Sequence, residues 1–248
     1  MLAASSPYFK ASFSNQFQEA ISARVTMRDM SPWIMKRILD YIYTGQLDIT
    51  VDNAQDYLRI GHMLHYPDIV DVCCELLCEH LHIDNCIGIK EYAGLFGCQA
   101  LERDAHRYVL EHFVELADKS EELLELSFDS LKAYLFDDRL DIPKELVIWR
   151  AIKRWVLHDV DRRKSQLLSL ISCMRLCAMS TSDLNILVHD QLARSHPASL
   201  CLLEKVMRFP ADSNHHLKPS INGQSKLKGY QVCLHPALLH RQQAFLHV

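Results

Sequence analysis

Apolar residues recur at three- and four-residue steps along most of the chain, the spacing of helices with one buried face. The clearest case is SPWIMKRILDYIYTG. Ser31 stands as N-cap, Pro32 opens the first turn, and Ile34, Ile38, Leu39 and Ile42 share a face. Gly45 is placed to end that helix in a left-handed conformation. A second helix is predicted from Asp52 through Tyr57, Leu58 and Leu64. Pro67 interrupts it, and a third runs from Asp68 through Leu81 with Ile69, Val72, Cys73, Leu76 and Leu77 inward. Further helical periods fall at 85–95, 101–113, 120–124, 127–136, from Pro143 onward, and at 167–176, 182–189 and 199–208. Before all of these, an apolar segment at 6–13 carries Tyr8, Phe9 and Phe13, and a polar loop follows at 14–18. ARVTM at 23–27 alternates and is β-branched, which predicts one short strand.

Composition supports a folded, mainly helical chain. Of 248 residues, 49% are hydrophobic and 23% charged, close to globular averages. Seven Gly and eight Pro exclude collagen-like and low-complexity classes. No apolar run approaches the roughly 18 residues that cross a bilayer as a helix. The N-terminus MLAASSPYFKASF lacks the basic-then-apolar order of a secretory signal. The net charge of −4 argues against nucleic acid and anionic membrane as partners. Residues 211–248 differ from the rest. They are net basic, hold five of the fourteen His and include the linker-like NHHLKPSINGQSKLKG, so a flexible tail is expected there.

Nine Cys without a signal peptide read as reduced thiols of the cytosol or nucleus. Cys74 and Cys78 stand one helical turn apart, as do Cys173 and Cys177; no C-x-x-C occurs. Small buried hydrophobes account for them better than metal ligands, so no metal is expected. Phosphate-binding glycine loops, nucleophile elbows and H-E-x-x-H are all missing. The acidic pairs Glu121-Glu122 and Asp137-Asp138 adjoin loops or helix starts, where charge complements the helix dipole. Trp149, Trp155 and the tyrosines sit at core spacings, and Arg162-Arg163-Lys164 reads as a solvated turn. Neither catalytic residues nor a cofactor are expected, and the chain reads as an interaction protein.

These residues resemble a family. Ser6-Pro7-Tyr8-Phe9, Val25 to Met27, and Ile38-Leu39-Asp40-Tyr41-Ile42-Tyr43-Thr44-Gly45 are similar to the later part of a BTB (POZ) domain. From Asn85-Cys86 onward the chain resembles the BACK domain of kelch-like proteins. Cys98, Leu101, Ala105, Tyr108, His112-Phe113, Leu140, Glu145, Ala151, Trp155 and Met174-Arg175-Leu176 carry that likeness. The resemblance implies a mainly α architecture: a partial BTB domain with helices and a short strand at 1–82, an all-helical BACK domain at 83–210, and a divergent tail at 211–248.

The family supplies substrate adaptors for cullin-based ubiquitin ligases, so the resemblance implies a non-enzymatic adaptor that binds a cullin of the third class. In that family the signature is an apolar residue, any residue, then Glu, and Phe17-Gln18-Glu19 matches it in place. An exposed Phe would anchor in a partner pocket and Glu19 would set register; the alternative is that Phe17 folds back onto its own domain. Tyr57, His62, His65 and Tyr66 are further expected contacts. The resemblance also implies that the opening BTB elements precede Leu2, which puts homodimerisation in doubt. Residues 211–248, with two Gly and no Trp, do not form a kelch propeller. A regulatory or non-functional truncated isoform that pairs with full-length kelch-like or other BTB-containing chains is the competing reading. The expected location is cytoplasmic or nuclear.

Overall fold

The computed structural model describes residues 2–14, 27 and 31–208. The predicted strand at 23–27, apart from Met27, lies outside the described residues, as do Phe17, Glu19 and the tail. Among the described residues every regular element is a helix. The chain divides into two compact units, one ending at His112 and one beginning at Phe113.

The first unit is built on an antiparallel pair, Val51–Leu64 and Pro67–Glu79. Thr50 and Asn53 close a reciprocal capping box at the start of the first, the Asn53 side chain accepting from Thr50 N–H at 2.8 Å. Gly61 lets the two helices touch. A Cβ there would meet Ile69 Cγ2 and Val70 Cγ2 at 3.2 Å, so a larger residue requires those methyls to give by a few tenths of an ångström. Pro67 begins the second helix rather than merely interrupting the first, because its missing N–H falls where no intrahelical partner exists.

Around this pair lie Leu2–Ser5, Pro7–Ser12 and Pro32–Thr44, followed by Cys86–Leu95 and Gln99–Glu111. Phe9, Ile34, Ile38, Tyr57, Leu58, Leu64, Ile69 and Cys73 share one core with Ile89, Ala93, Leu101 and Ala105. The Pro32–Thr44 helix ends at Gly45 with φ +71°, as its sequence predicts. Ser31 precedes it in an extended conformation but makes no side-chain cap bond, so Pro32 alone supplies the start signal. Tyr43 is 62% exposed, so the expectation that the tyrosines pack in the core fails on this helix, and Trp33 is 55% exposed beside it. Both lie away from the buried Ile34 and Ile38 around the helix, and the Arg37 guanidinium lies 5.8 Å from the Trp33 ring centroid.

The second unit packs on Leu146–His158, whose Val147, Ile148, Trp149, Ala151, Ile152, Trp155 and Val156 are buried. The helix begins at Leu146, not at Pro143. Glu145 sits at the boundary, and its carboxylate accepts the Arg175 backbone N–H at 3.1 Å and the Arg175 Nε. Arg154 caps the end of Phe113–Lys119, donating to Ala117 O at 2.9 Å and Ser120 O at 3.2 Å. The predicted helix at 167–176 stops at Ile171. Cys173 N–H and Met174 N–H donate three residues back, and the chain turns into a short 3₁₀ segment at Leu176–Ala178.

The basic run also departs from expectation. Arg162 faces solvent, but Arg163 inserts under the chain. It donates to Leu124 O at 2.7 Å and Trp155 O at 2.9 Å, and its guanidinium lies 4.3 Å from the Trp155 ring centroid. Ser180, Ser127 and Asp159 are genuine N-caps, each accepting a backbone N–H two or three residues into its helix.

Candidate functional site

The four expected contacts on the described residues separate into two that face inward and two that face outward. Tyr57 has no exposed surface. It packs in the core, with its phenol beside Arg37, and neither Tyr57 Oη nor Arg37 Nε makes a hydrogen bond of normal geometry. Burial pushes the Tyr57 hydroxyl up, and the neighbouring guanidinium pulls it part of the way back. Tyr66 is buried as well. Its hydroxyl meets Ser5 Oγ at 2.9 Å, and its ring sits edge-on to Tyr41 at 6.2 Å. Tyr57 and Tyr66, named as expected partner contacts, are therefore both buried among the described residues, beside Arg37 and beside Ser5 and Tyr41 respectively.

His62 and His65 are exposed. His65 ends the Val51–Leu64 helix in a left-handed conformation, φ +58°, while the next N–H, from Tyr66, closes back to Gly61 O at 2.8 Å. A branched side chain there costs free energy that glycine does not. His65→Gly is accordingly expected to stabilise the first unit by about 0.5–1 kcal/mol. A denaturant midpoint that stays put or falls would contradict the strain.

His62 belongs to a surface cluster that periodicity did not single out. Its ring meets Phe96 edge-on at 5.6 Å, and Phe96 meets Tyr92 at 4.8 Å. Tyr92 is fixed by its hydroxyl, which donates to Gln55 O at 2.6 Å, and burial pushes that hydroxyl up to about 12. Beside them Leu95 is 79% exposed, the most exposed of the large apolar side chains among the described residues. The signal was present in Leu95-Phe96-Gly97. Adjacent helical positions point about 100° apart, so Leu95 and Phe96 need not share a face. The patch offers rigid apolar and aromatic contact area, the chemistry of a docking surface.

An open cleft of about 510 Å³ lies elsewhere in the unit, lined by Arg37, Asp40, Thr44, Gln46, Leu47 and Asp48. Its one cation faces two carboxylates, which leaves no strong preference for an anion or a cation. Among the described residues no group of three or more His, Cys, Asp or Glu is arranged to hold a metal ion.

Among the described residues the first unit thus carries an apolar, aromatic surface patch on a helical fold. The comparisons give the family. The BTB/POZ domain model matches residues 1–81, and the model described as BACK: BTB And C-terminal Kelch matches residues 86–189. Kelch-like protein 17 of Homo sapiens is 34% identical over 226 residues, 90% of this chain and 34% of that protein. Kelch-like protein 2 of Rattus norvegicus is 34% identical over 221 residues, 89% of this chain and 36% of its own length. Kelch-like protein 5 of Homo sapiens is 31% identical over 209 residues, 84% and 28% respectively. The chain belongs to the BTB–BACK family of kelch-like proteins, and it spans about a third of the length of these relatives.

Proposed function

We propose that the chain is a non-enzymatic adaptor that docks onto a cullin of the third class, in the cytoplasm or nucleus, and takes part in protein ubiquitination. Transfer of ubiquitin is then the work of the cullin-bound ring-finger partner. The observation that carries this reading is the His62–Tyr92–Leu95–Phe96 patch, on a chain of the BTB–BACK family. It lies where the last helices matched to BTB pack with the first helices matched to BACK. Phe17 and Glu19 are further proposed contacts by the family resemblance, Phe17 as an apolar anchor and Glu19 as the charge that sets register. His62 and His65 contribute at its edge.

Calorimetric titration of the whole chain with a cullin N-terminal domain tests it. Phe17→Ala is expected to weaken binding by about 2 kcal/mol, roughly 30-fold. Leu95→Asp places a charge in the contact and is expected to lower affinity at least about tenfold. Leu95→Asp should keep the far-ultraviolet dichroism of the parent, since Leu95 is not part of the core. Equal affinities for parent and variants would overturn the assignment, and so would a folded parent that does not bind.

A second reading has its own support in the exposed Trp33 and Tyr43 of the Pro32–Thr44 helix. They suit pairing with another BTB-containing chain, in which this one acts as a regulatory partner. Light scattering of a mixture with a full-length relative separates the two, because Trp33→Ala and Tyr43→Ala should release that complex and leave cullin affinity unchanged.

A further inference from the structure

We propose that Ser165 is a phosphorylation site for a serine kinase that reads arginine, and that Arg163 gates access to it. Arg162-Arg163-Lys164-Ser165 places two guanidiniums three and two residues before a hydroxyl. No other Ser of the chain has Arg at both of those positions. A kinase cleft lined by carboxylates binds such a pair. Each planar fork donates two hydrogen bonds to a carboxylate, and the charge pattern selects the substrate. Ser165 is exposed, and the Arg162 side chain is 88% exposed.

The local fold sets how the site is reached. A kinase takes its acceptor in an extended stretch, so residues 160–166 must open first. They form Val160–Arg163 and the 3₁₀ turn Lys164–Gln166, two short elements that bury no residue. A single turn of helix has little stability of its own, and 3₁₀ hydrogen bonds have the poorer geometry. Leu167, fully buried, bounds the segment on its C-terminal side. Arg163 ties it to the interior, through Leu124 O at 2.7 Å, Trp155 O at 2.9 Å and the Trp155 ring centroid at 4.3 Å. Opening releases Arg163 from all three, and the freed guanidinium is the second of the two that the kinase reads. The motif is therefore incomplete in the closed chain and complete in the opened one.

The phosphoryl donor is ATP, held with Mg²⁺ by the kinase. Ser165 Oγ bonds to the terminal phosphorus, the bond from that phosphorus to the bridging oxygen breaks, and ADP leaves with the electron pair. The hydroxyl proton passes to the catalytic carboxylate of the kinase. The product carries about −2 charge, within three residues of Arg162, Arg163 and Lys164, whose N–H groups donate charge-assisted hydrogen bonds to it.

The test incubates the whole chain with Mg²⁺-ATP and the catalytic subunit of cyclic-AMP-dependent kinase, followed by mapping of the phosphopeptides over time. Ser165 is expected to be the principal site, and Ser165→Ala should abolish it. Arg162→Ala removes an exposed side chain and should slow the modification at least about tenfold. Trp155→Phe weakens the seat of Arg163 and should speed it several-fold. Leu184→Val truncates the core in the Thr181–His189 helix, which supplies none of those partners of Arg163, and should leave the rate close to that of the parent. A parent without phosphate on Ser165, or an Arg162→Ala rate equal to that of the parent, would overturn the site. Trp155→Phe no faster than the parent, or Leu184→Val as fast as Trp155→Phe, would overturn the gate. The parent map decides the site even where a variant fails to fold, and neither readout depends on cullin binding.

Discussion

Replacing Trp155 with Ala is expected to destabilise the second unit by about 3–5 kcal/mol, the range for emptying a large buried aromatic site. The indole is only 2% exposed, and its Nε1 donates to Leu126 O at 2.8 Å. Truncation leaves a cavity and a buried carbonyl without its donor, and the second adds about 1 kcal/mol. It also removes the ring on which the Arg163 guanidinium rests at 4.3 Å. Arg163 ties Leu124 O to Trp155 O, so the short Glu122–Glu125 helix should loosen in the same variant. Hydrogen exchange resolved by peptide is the suitable measurement, because it reports each unit by its own amides. Amides of Leu146–His158 and Glu122–Glu125 should lose protection, while those of Val51–Leu64 should not. Trp155→Phe keeps much of the volume and loses the hydrogen bond, so it should cost about 1–2 kcal/mol. A Trp155→Ala change below about 1 kcal/mol would show that the indole does not anchor this unit.

The second large effect concerns Glu145, expected to cost about 3 kcal/mol on replacement by Ala. Its side chain is 6% exposed and that of Arg175 19%, so the pair is largely removed from water. The carboxylate serves both Arg175 Nε and the Arg175 backbone N–H. Losing it takes a partner from a largely buried charge and from a backbone donor together, and removing half of a buried pair costs more than replacing both. The double variant Glu145→Leu with Arg175→Met removes both charges and should recover most of the loss. Thermal or urea unfolding of the two single variants and the double variant forms the cycle. A double variant as unstable as Glu145→Ala would mean that the backbone N–H, rather than the charge, sets the cost.

Local rules worked wherever one residue sufficed to specify a conformation. Gly45 ends its helix left-handed as expected, and Trp149 and Trp155 are core residues as their spacing predicts. They failed where a distant partner decided. The helix predicted from Pro143 starts only at Leu146, and Glu145 at its boundary sends its carboxylate to Arg175, thirty residues on. Arg163 leaves the solvated run because the Trp155 ring and two carbonyls give it a better site than water does. The site shows the same division. Tyr57 and Tyr66 carry the amphipathic chemistry of contact residues, and only packing assigned them to the interior. Leu95 and Phe96 look like ordinary core residues in the pattern, and only packing left one of them outside.

The sequence by itself determined the helical class, most helix positions and the family likeness, because periodicity, caps and prolines act within one or two turns of chain. The tertiary structure decided which aromatic side chains reach the surface. It also decided where the compact units divide, with the Cys86–Leu95 and Gln99–Glu111 helices sharing the core of the helices before them. Those outcomes depend on which faces find a neighbour. A repeating apolar pattern states that a face is to be buried and carries no information about the residue that buries it.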